Sequence, residues 1–147
     1  MKKVKRLPFK DFQYIYSKVP RLCVDLVIKD KKGVLLTQRL IPPDIGRWHF
    51  PGGTVLYGET VADAVKRIAQ EEIGVKVKIL KQIGYLDYIR IPDTHAASII
   101  FLIKPLSNNF RGSPQAEKIK FFKSVPKNTI AEHARFLREH FSKRTLS

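Results

Sequence analysis

The sequence predicts an α/β fold: a mixed β-sheet covered by helices on both sides, an α/β/α sandwich, in one domain spanning residues 1–147. Three observations carry that expectation. Strand-length runs rich in apolar and β-branched residues alternate with helical segments in the order α-β-β-β-α-β-β-β-α. The central helix has a sharp start and a sharp stop. The chain, 147 residues at 44% hydrophobic composition, is long enough to bury a substantial core.

The elements follow in order. Phe9–Val19 forms a short amphipathic helix over residues 9–19, with Phe9, Phe12, Ile15 and Tyr16 on one side, and Pro20 ends it. Arg21–Lys29 reads as a strand interrupted by Asp25, which either faces outward or contacts a ligand. Asp30–Gly33 is a turn, and Val34–Leu40 is the returning strand of a hairpin. Ile41–Arg47, with Pro42, Pro43 and Gly46, is a loop. In Trp48–Phe50 the two aromatics are expected to face the core and His49 to face away. Val75–Arg90 is one long strand, or two bent at Gly84; Ile91–His95 is a loop and Ala96–Leu106 a buried strand. Ser107–Pro114 is a polar loop and Glu117–Lys123 the last strand. Thr129 with Glu132 caps a closing helix over 129–142, with Ile130, Ala134, Leu137 and Phe141 inward.

The stretch Pro51–Val75 organises the rest. Two glycines after a proline allow a sharp turn and a close approach. Thr60 with Asp63 opens a helix and Gly74 closes it, leaving about thirteen helical residues between. At about 100° per residue, Val61, Ala64, Val65, Ile68 and Ala69 form an apolar stripe, with Ile73 at one edge. Glu72 falls inside that stripe. Glu71 lies at its border, one turn after Arg67. A carboxylate on a core-facing side needs a cation, hydrogen bonds or a metal. The plain alternatives are that Glu72 reaches out to the edge and that Arg67 and Glu71 form a surface pair. Adjacent hard oxygens beside a free main-chain carbonyl suit Mg²⁺ or Mn²⁺.

The stretch resembles the Nudix box, G-x5-E-x7-R-E-U-x-E-E-x-G-U with U bulky and apolar. Here it runs Gly53, Glu59, Arg67, Ile68, Ala69, Glu71, Glu72, Gly74, Val75. Two positions depart: Ile68 stands where the family has a glutamate, and Ala69 is a small residue at a bulky position. The resemblance implies the same α/β/α architecture and a Mg²⁺-dependent hydrolase, with Mn²⁺ able to substitute. The substrate it implies is a nucleoside diphosphate linked to another moiety, cut by water attack at phosphorus. It further implies that the Gly52 carbonyl, Glu71 and Glu72 bind the metal, while Arg67 and Glu59 brace the turn and the acids. With Ile68 in place, the base or a further ligand must come from elsewhere. Gln115 and Glu117 in the late loop are candidates, and His95 is a third, with a surface histidine as the plainer alternative.

One subgroup, the GDP-mannose mannosyl hydrolases, also tolerates an apolar residue at that box position. This chain resembles it in the N-terminal helix, Asp25, Arg39, Arg67, Glu72 and Gln115. That similarity implies Asp25 and Arg39 as nucleotide or diphosphate contacts and Gln115 as a metal ligand. The subgroup attacks the sugar carbon with a histidine that follows this glutamine; here Ala116 stands there, and Thr54 replaces an arginine after the Gly-Gly pair. Glu71, usually missing in the subgroup, is present. Attack at phosphorus is therefore the leading expectation. A GDP-sugar glycosyl hydrolase, and a catalytically weak Nudix-fold nucleotide- or RNA-binding protein, are the alternatives.

A net charge of +15 creates a field that attracts phosphates, nucleotides or nucleic acid. Its cations run from Lys2 to Arg144, so a solvated basic surface is the plainer account. The longest apolar run, Ala96–Ile103, is too short for a bilayer, and no apolar segment follows the basic N-terminus as in a signal peptide. No membrane partner is expected, and the molecule is a monomer or homodimer. The single cysteine, Cys23, excludes an internal disulfide, fits a reducing cytoplasmic setting and reads as a small core residue.

Overall fold

The computed structural model describes residues 4–42, 44–112 and 118–141. Helix α1 (Phe9–Tyr16) precedes strands β1 (Arg21–Val27), β2 (Lys29–Asp30), β3 (Gly33–Gln38), β4 (Trp48–His49) and β5 (Gly52–Thr54). Helix α2 (Val61–Ile73) follows, then β6 (Val77–Arg90), β7 (Thr94–Pro105), β8 (Lys118–Phe122) and α3 (Ala131–His140). One sheet has the order β5-β1-β7-β6, mixed because β1 and β7 run parallel while the other pairs are antiparallel. In the second sheet β3 pairs with β8 along its length and with β2 and β4 at its ends.

Alternation along β1 places the core on both faces. Val24, Leu26 and Ile28 join Ala64, Val65, Ile68, Ala69 and Ile73 of α2 in one cluster. Val27 turns the other way, to Phe50, Ile100, Phe136 and Leu137, the last two from α3. The predicted α/β/α arrangement is thus what the chain adopts. The α2 boundaries fall where the sequence puts them: Thr60 Oγ1 accepts from the Asp63 N–H at 3.0 Å, and Gly74 closes the helix in the left-handed region at φ 70°. No helix among the described residues is long and apolar enough to cross a membrane.

Several expectations are corrected. Helix α1 stops at Tyr16, where the Ser17 hydroxyl donates to the Tyr14 carbonyl, and it buries none of its residues. The first strand breaks after Val27 and the returning strand ends at Gln38. Of the two readings of residues 75–90 the single long strand is adopted, starting at Val77 and continuous through Gly84, with two register shifts absorbing the bend. His95 belongs to strand β7, opposite Ile89, because β7 starts at Thr94. His49 is buried rather than outward, as is Asp25. Helix α3 is capped by Ile130 without a side-chain bond: the Thr129 hydroxyl donates to the Pro126 carbonyl, and Glu132 is drawn to Arg90 at 2.6 Å. Ser142, the expected end of that helix, lies outside the described residues, as do Gln115 and Glu117.

Candidate active site

Strand β5 is the edge of its sheet, and its register decides where its oxygens point. Leu26 N–H donates to the Pro51 carbonyl at 2.8 Å and Val55 N–H to the Leu22 carbonyl at 3.0 Å, while Gly53 lies opposite Val24. By antiparallel alternation, the Gly52 and Thr54 carbonyls face away from β1. Thr54 O is met on that side by Arg67 Nη2 at 2.8 Å. Close approach requires glycine at position 52 and leaves little room at position 53. A Cβ on Gly52 would lie 2.2 Å from Asp25 Oδ1, and one on Gly53 would lie 3.2 Å from Ile68 Cδ1. Ile68, at the position of the family glutamate, is therefore packing against the turn, buried in the α2 core.

Arg67 joins the loop to the helix. Its Nε donates to Glu59 Oε2 at 2.7 Å and its Nη2 to Glu59 Oε1 at 3.0 Å, while Nη1 donates to both Glu71 oxygens at 3.2 Å. The Glu59 carboxylate also accepts the Leu56 N–H at 3.0 Å, and its side chain is only 3% exposed. Burial pushes the Glu59 pKa up, but the Arg67 and Leu56 bonds outweigh it, and the carboxyl is held below its ordinary value. Glu71 is more open and also receives the Arg6 guanidinium from the N-terminal segment. The planar arginine fork thus ties Glu59, Thr54 and Glu71 into one unit.

Glu72 is half-buried on the next position of α2, within electrostatic reach of Arg39. Arg39 in turn donates from Nε to the Ile41 carbonyl at 3.3 Å and from Nη2 to the Pro42 carbonyl at 3.2 Å. The expected phosphate fork therefore stands beside an acid of the box and organises the loop after β3. His95 lies apart, at the start of β7, beyond the point where β1 begins opposite Ala96.

Two residues that the sequence reading passes over are central here. The Phe50 N–H donates to His133 Nδ1 at 2.9 Å, and the Phe50 ring stacks on the imidazole at 4.4 Å. Because Nδ1 accepts, the neutral ring carries its proton on Nε2, which meets Tyr88 Oη. Tyr88 Oη then donates to Asp25 Oδ2 at 2.6 Å. Burial depresses His133 to about 3 and, likewise first through burial, His49 to about 4, so both are neutral. Burial also pushes the Asp25 carboxyl up, opposed by the Tyr88 bond. His133 lies one turn after Ile130 and one turn before Leu137, so a polar residue on the apolar stripe of α3 was the available signal. Cys23 is buried, as a small core residue should be, and burial raises its thiol pKa.

The donors available to a divalent ion are the carboxylates of Glu71 and Glu72 and the outward Gly52 carbonyl. They are hard oxygens of net negative charge, which fit Mg²⁺ or Mn²⁺. Glu71 already draws two guanidinium groups, an indication that this end of α2 favours positive charge. Among the described residues no three His, Cys, Asp or Glu side chains are grouped so as to hold a metal ion.

A family model for the NUDIX domain matches residues 19–143. The chain is 35% identical over 124 residues to the low-salt glycan biosynthesis protein Agl8 of Haloferax volcanii, covering 80% of each chain. It is 31% identical over 124 residues to the ADP-ribose pyrophosphatase of Methanocaldococcus jannaschii, covering 82% of this chain and 73% of that one. The crystal structure of the MutT NUDIX hydrolase from Burkholderia pseudomallei superposes with a TM-score of 0.76 at 25% identity, over 84% of this chain and 98% of the other.

Proposed function

The chain belongs to the NUDIX family and is a hydrolase of that family, and from that premise we propose that it is Mg²⁺-dependent and cleaves a nucleoside diphosphate linked to a second moiety. The observation that carries this reading is the brace of Glu59, Arg67 and Thr54 O, which holds Glu71 at the end of α2. The Gly52 carbonyl leaves the same edge of β5 as Thr54 O. Glu71, Glu72 and Gly52 O would hold the ion, with Arg67 orienting Glu71 and Glu59 fixing Arg67. A divalent ion held there supplies charge for the diphosphate oxygens and makes water more acidic. Arg39 contributes a planar cation to the diphosphate from the rim beside Glu72. In the reaction, a water oxygen bonds to phosphorus, the bridging P–O bond breaks, and the departing phosphate keeps the electron pair. Ile68 cannot take the water proton, so Glu117 of the late loop is the candidate to accept it, with Gln115 a candidate further metal ligand. The relative named as an ADP-ribose pyrophosphatase supports this substrate class. The free Cys23 fits a reducing, cytoplasmic setting.

The test is a panel of nucleotide diphosphates, including ADP-ribose and nucleotide sugars, with Mg²⁺ or Mn²⁺. Turnover is expected, and Glu72→Gln should lower kcat by about 10²-fold or more with the fold retained. Full activity in that variant removes Glu72 from the mechanism. A second reading, attack at the sugar carbon, draws on Ile68 and on the relative named for glycan biosynthesis. Hydrolysis in ¹⁸O water separates the two: label in phosphate supports the first and label in the sugar the second. Salt-sensitive RNA binding without turnover would instead favour a binding protein.

A further inference from the structure

The α3 face of the sheet carries a polar chain that the hydrolase reading has not used. Asp25, Tyr88 and His133 come from β1, β6 and α3 and are joined in one direction: Phe50 N–H to His133 Nδ1, His133 Nε2–H to Tyr88 Oη, and Tyr88 O–H to Asp25 Oδ2. Each donor is fixed by the one before it, because a main-chain N–H can only donate. Both ends of the chain reach the same short segment. One end holds the Phe50 N–H. At the other, Asp25 Oδ1 occupies the space where a side chain on Gly52 would be. His49 adds a second clasp, its Nδ1–H donating to the Phe50 carbonyl at 2.7 Å. Both main-chain groups of Phe50 are thus held by neutral imidazoles.

Magnitudes argue against a purely stabilising role. A hydrogen-bonded polar chain among Val27, Ile100, Phe136 and Leu137 adds little over apolar groups of the same shape. What it adds is a fixed geometry, at the price of leaving costly unpaired groups if any member is lost. We propose that Asp25, Tyr88 and His133 form a positioning network that sets the Phe50–Gly52 main chain and so aims the Gly52 carbonyl at the metal-binding acids of α2. This inference rests on the hydrolase reading for the role of that carbonyl. It makes Asp25 a positioning residue beneath the turn rather than a nucleotide contact.

Three variants and three readouts test it. Tyr88→Phe removes one hydroxyl; His133→Phe removes the Phe50 grip and the Tyr88 link together; His133→Asn restores an acceptor for the Phe50 N–H. Phe136→Leu, in the same core but outside the chain, is the control for lost packing. The readouts are Mn²⁺ affinity from the free-ion EPR signal, amide exchange across residues 50–54, and kcat against KM. Tyr88→Phe and His133→Phe should weaken Mn²⁺ binding and lower kcat by about 10–100-fold, with KM within about threefold and faster exchange at residues 50–54. His133→Asn should recover the slow exchange of the Phe50 amide. If His133→Phe does not fold, Tyr88→Phe decides alone. The proposal is overturned if Tyr88→Phe loses thermal stability as the control does while Mn²⁺ affinity, local exchange and kcat stay within about twofold of wild type. It is equally overturned if the wild type binds no Mn²⁺. A wild type that binds Mn²⁺ but turns over no diphosphate defeats the substrate assignment alone, and the affinity and exchange readouts still decide the positioning role.

Discussion

Strand β5 and the residues leading into it are held from two sides by means that differ in kind. On the α2 face the hold is ionic and local: Glu59, Arg67 and Glu71 lie within thirteen positions of one another and meet through one guanidinium. On the α3 face it is neutral and long-range, through Asp25, Tyr88 and His133, separated by 63 and 45 positions. The ionic side is partly open, with Glu71 40% exposed, which suits its proposed role as a metal ligand. The neutral side is closed, with His133 3% exposed. Adjustable charge thus sits at the solvent edge, and fixed hydrogen bonds sit inside, where a mobile charge would be costly.

The largest effect should come from breaking the ionic side. Arg67→Ala leaves the Glu59 carboxylate buried with only the Leu56 N–H, and should cost about 3 kcal/mol of stability. Arg67→Lys keeps the charge but not the fork, cannot reach Glu59, Glu71 and Thr54 O at once, and should fall between. Chemical denaturation measures both. A loss below about 1 kcal/mol for Arg67→Ala would place the pair among weak surface bridges, and the α2 face would then hold β5 no more firmly than a solvated ion pair does.

Acid should probe the neutral side next. His133 and His49 are depressed to about 3 and about 4 by burial, against an unfolded value near 6.5. Between those limits the unfolded chain binds more protons than the folded one. The stability they contribute is therefore complete above pH 6.5 and drains away as pH falls. Each should cost about 2 kcal/mol between pH 7 and pH 5. Asp25, raised in the fold by burial, works in the opposite sense, retaining a proton that the unfolded chain has given up. Denaturation curves for wild type and His133→Asn across that range should show a shallower acid loss in the variant. Equal slopes would mean that His133 is not held neutral.

The same contrast explains what the sequence could disclose. The α2 helix, its Thr60 cap, its Gly74 stop and the Glu59–Arg67–Glu71 spacing are local, so helical geometry alone brings them together. Ile68 was visible as a departure, and the structure turns it into a packing contact with Gly53. The Asp25–Tyr88–His133 chain was not legible, because its members meet only after β1, β6 and α3 are assembled around one core. Taken singly, Asp25 reads as an outward strand residue or a ligand contact, and His49 as solvent-facing. Simple alternation from Trp48 and Phe50 misassigned His49, which turns inward and bonds the Phe50 carbonyl. The α3 cap failed for a similar reason. Thr129 and Glu132 have the spacing of a capping box, but a turn carbonyl at Pro126 and a distant Arg90 compete for them and win.

The smallest effect separates the two sides most finely. Arg6 and Arg67 share the Glu71 carboxylate, yet Arg6 is 61% exposed while Arg67 is 13% exposed. An exposed pair of that kind should alter stability by less than about 1 kcal/mol. Under the proposed metal site its consequence lies in competition, since a guanidinium on Glu71 and a divalent ion would seek the same oxygens. Arg6→Ala should tighten Mn²⁺ binding about twofold at low ionic strength and leave it unchanged near 1 M salt, where the Debye length is about 3 Å. Tyr88→Phe, acting through uncharged groups, should change Mn²⁺ affinity by the same factor at either salt concentration. Equal salt dependence in the two variants would mean that both faces act through charge, and the division between an ionic and a neutral hold on β5 would fail.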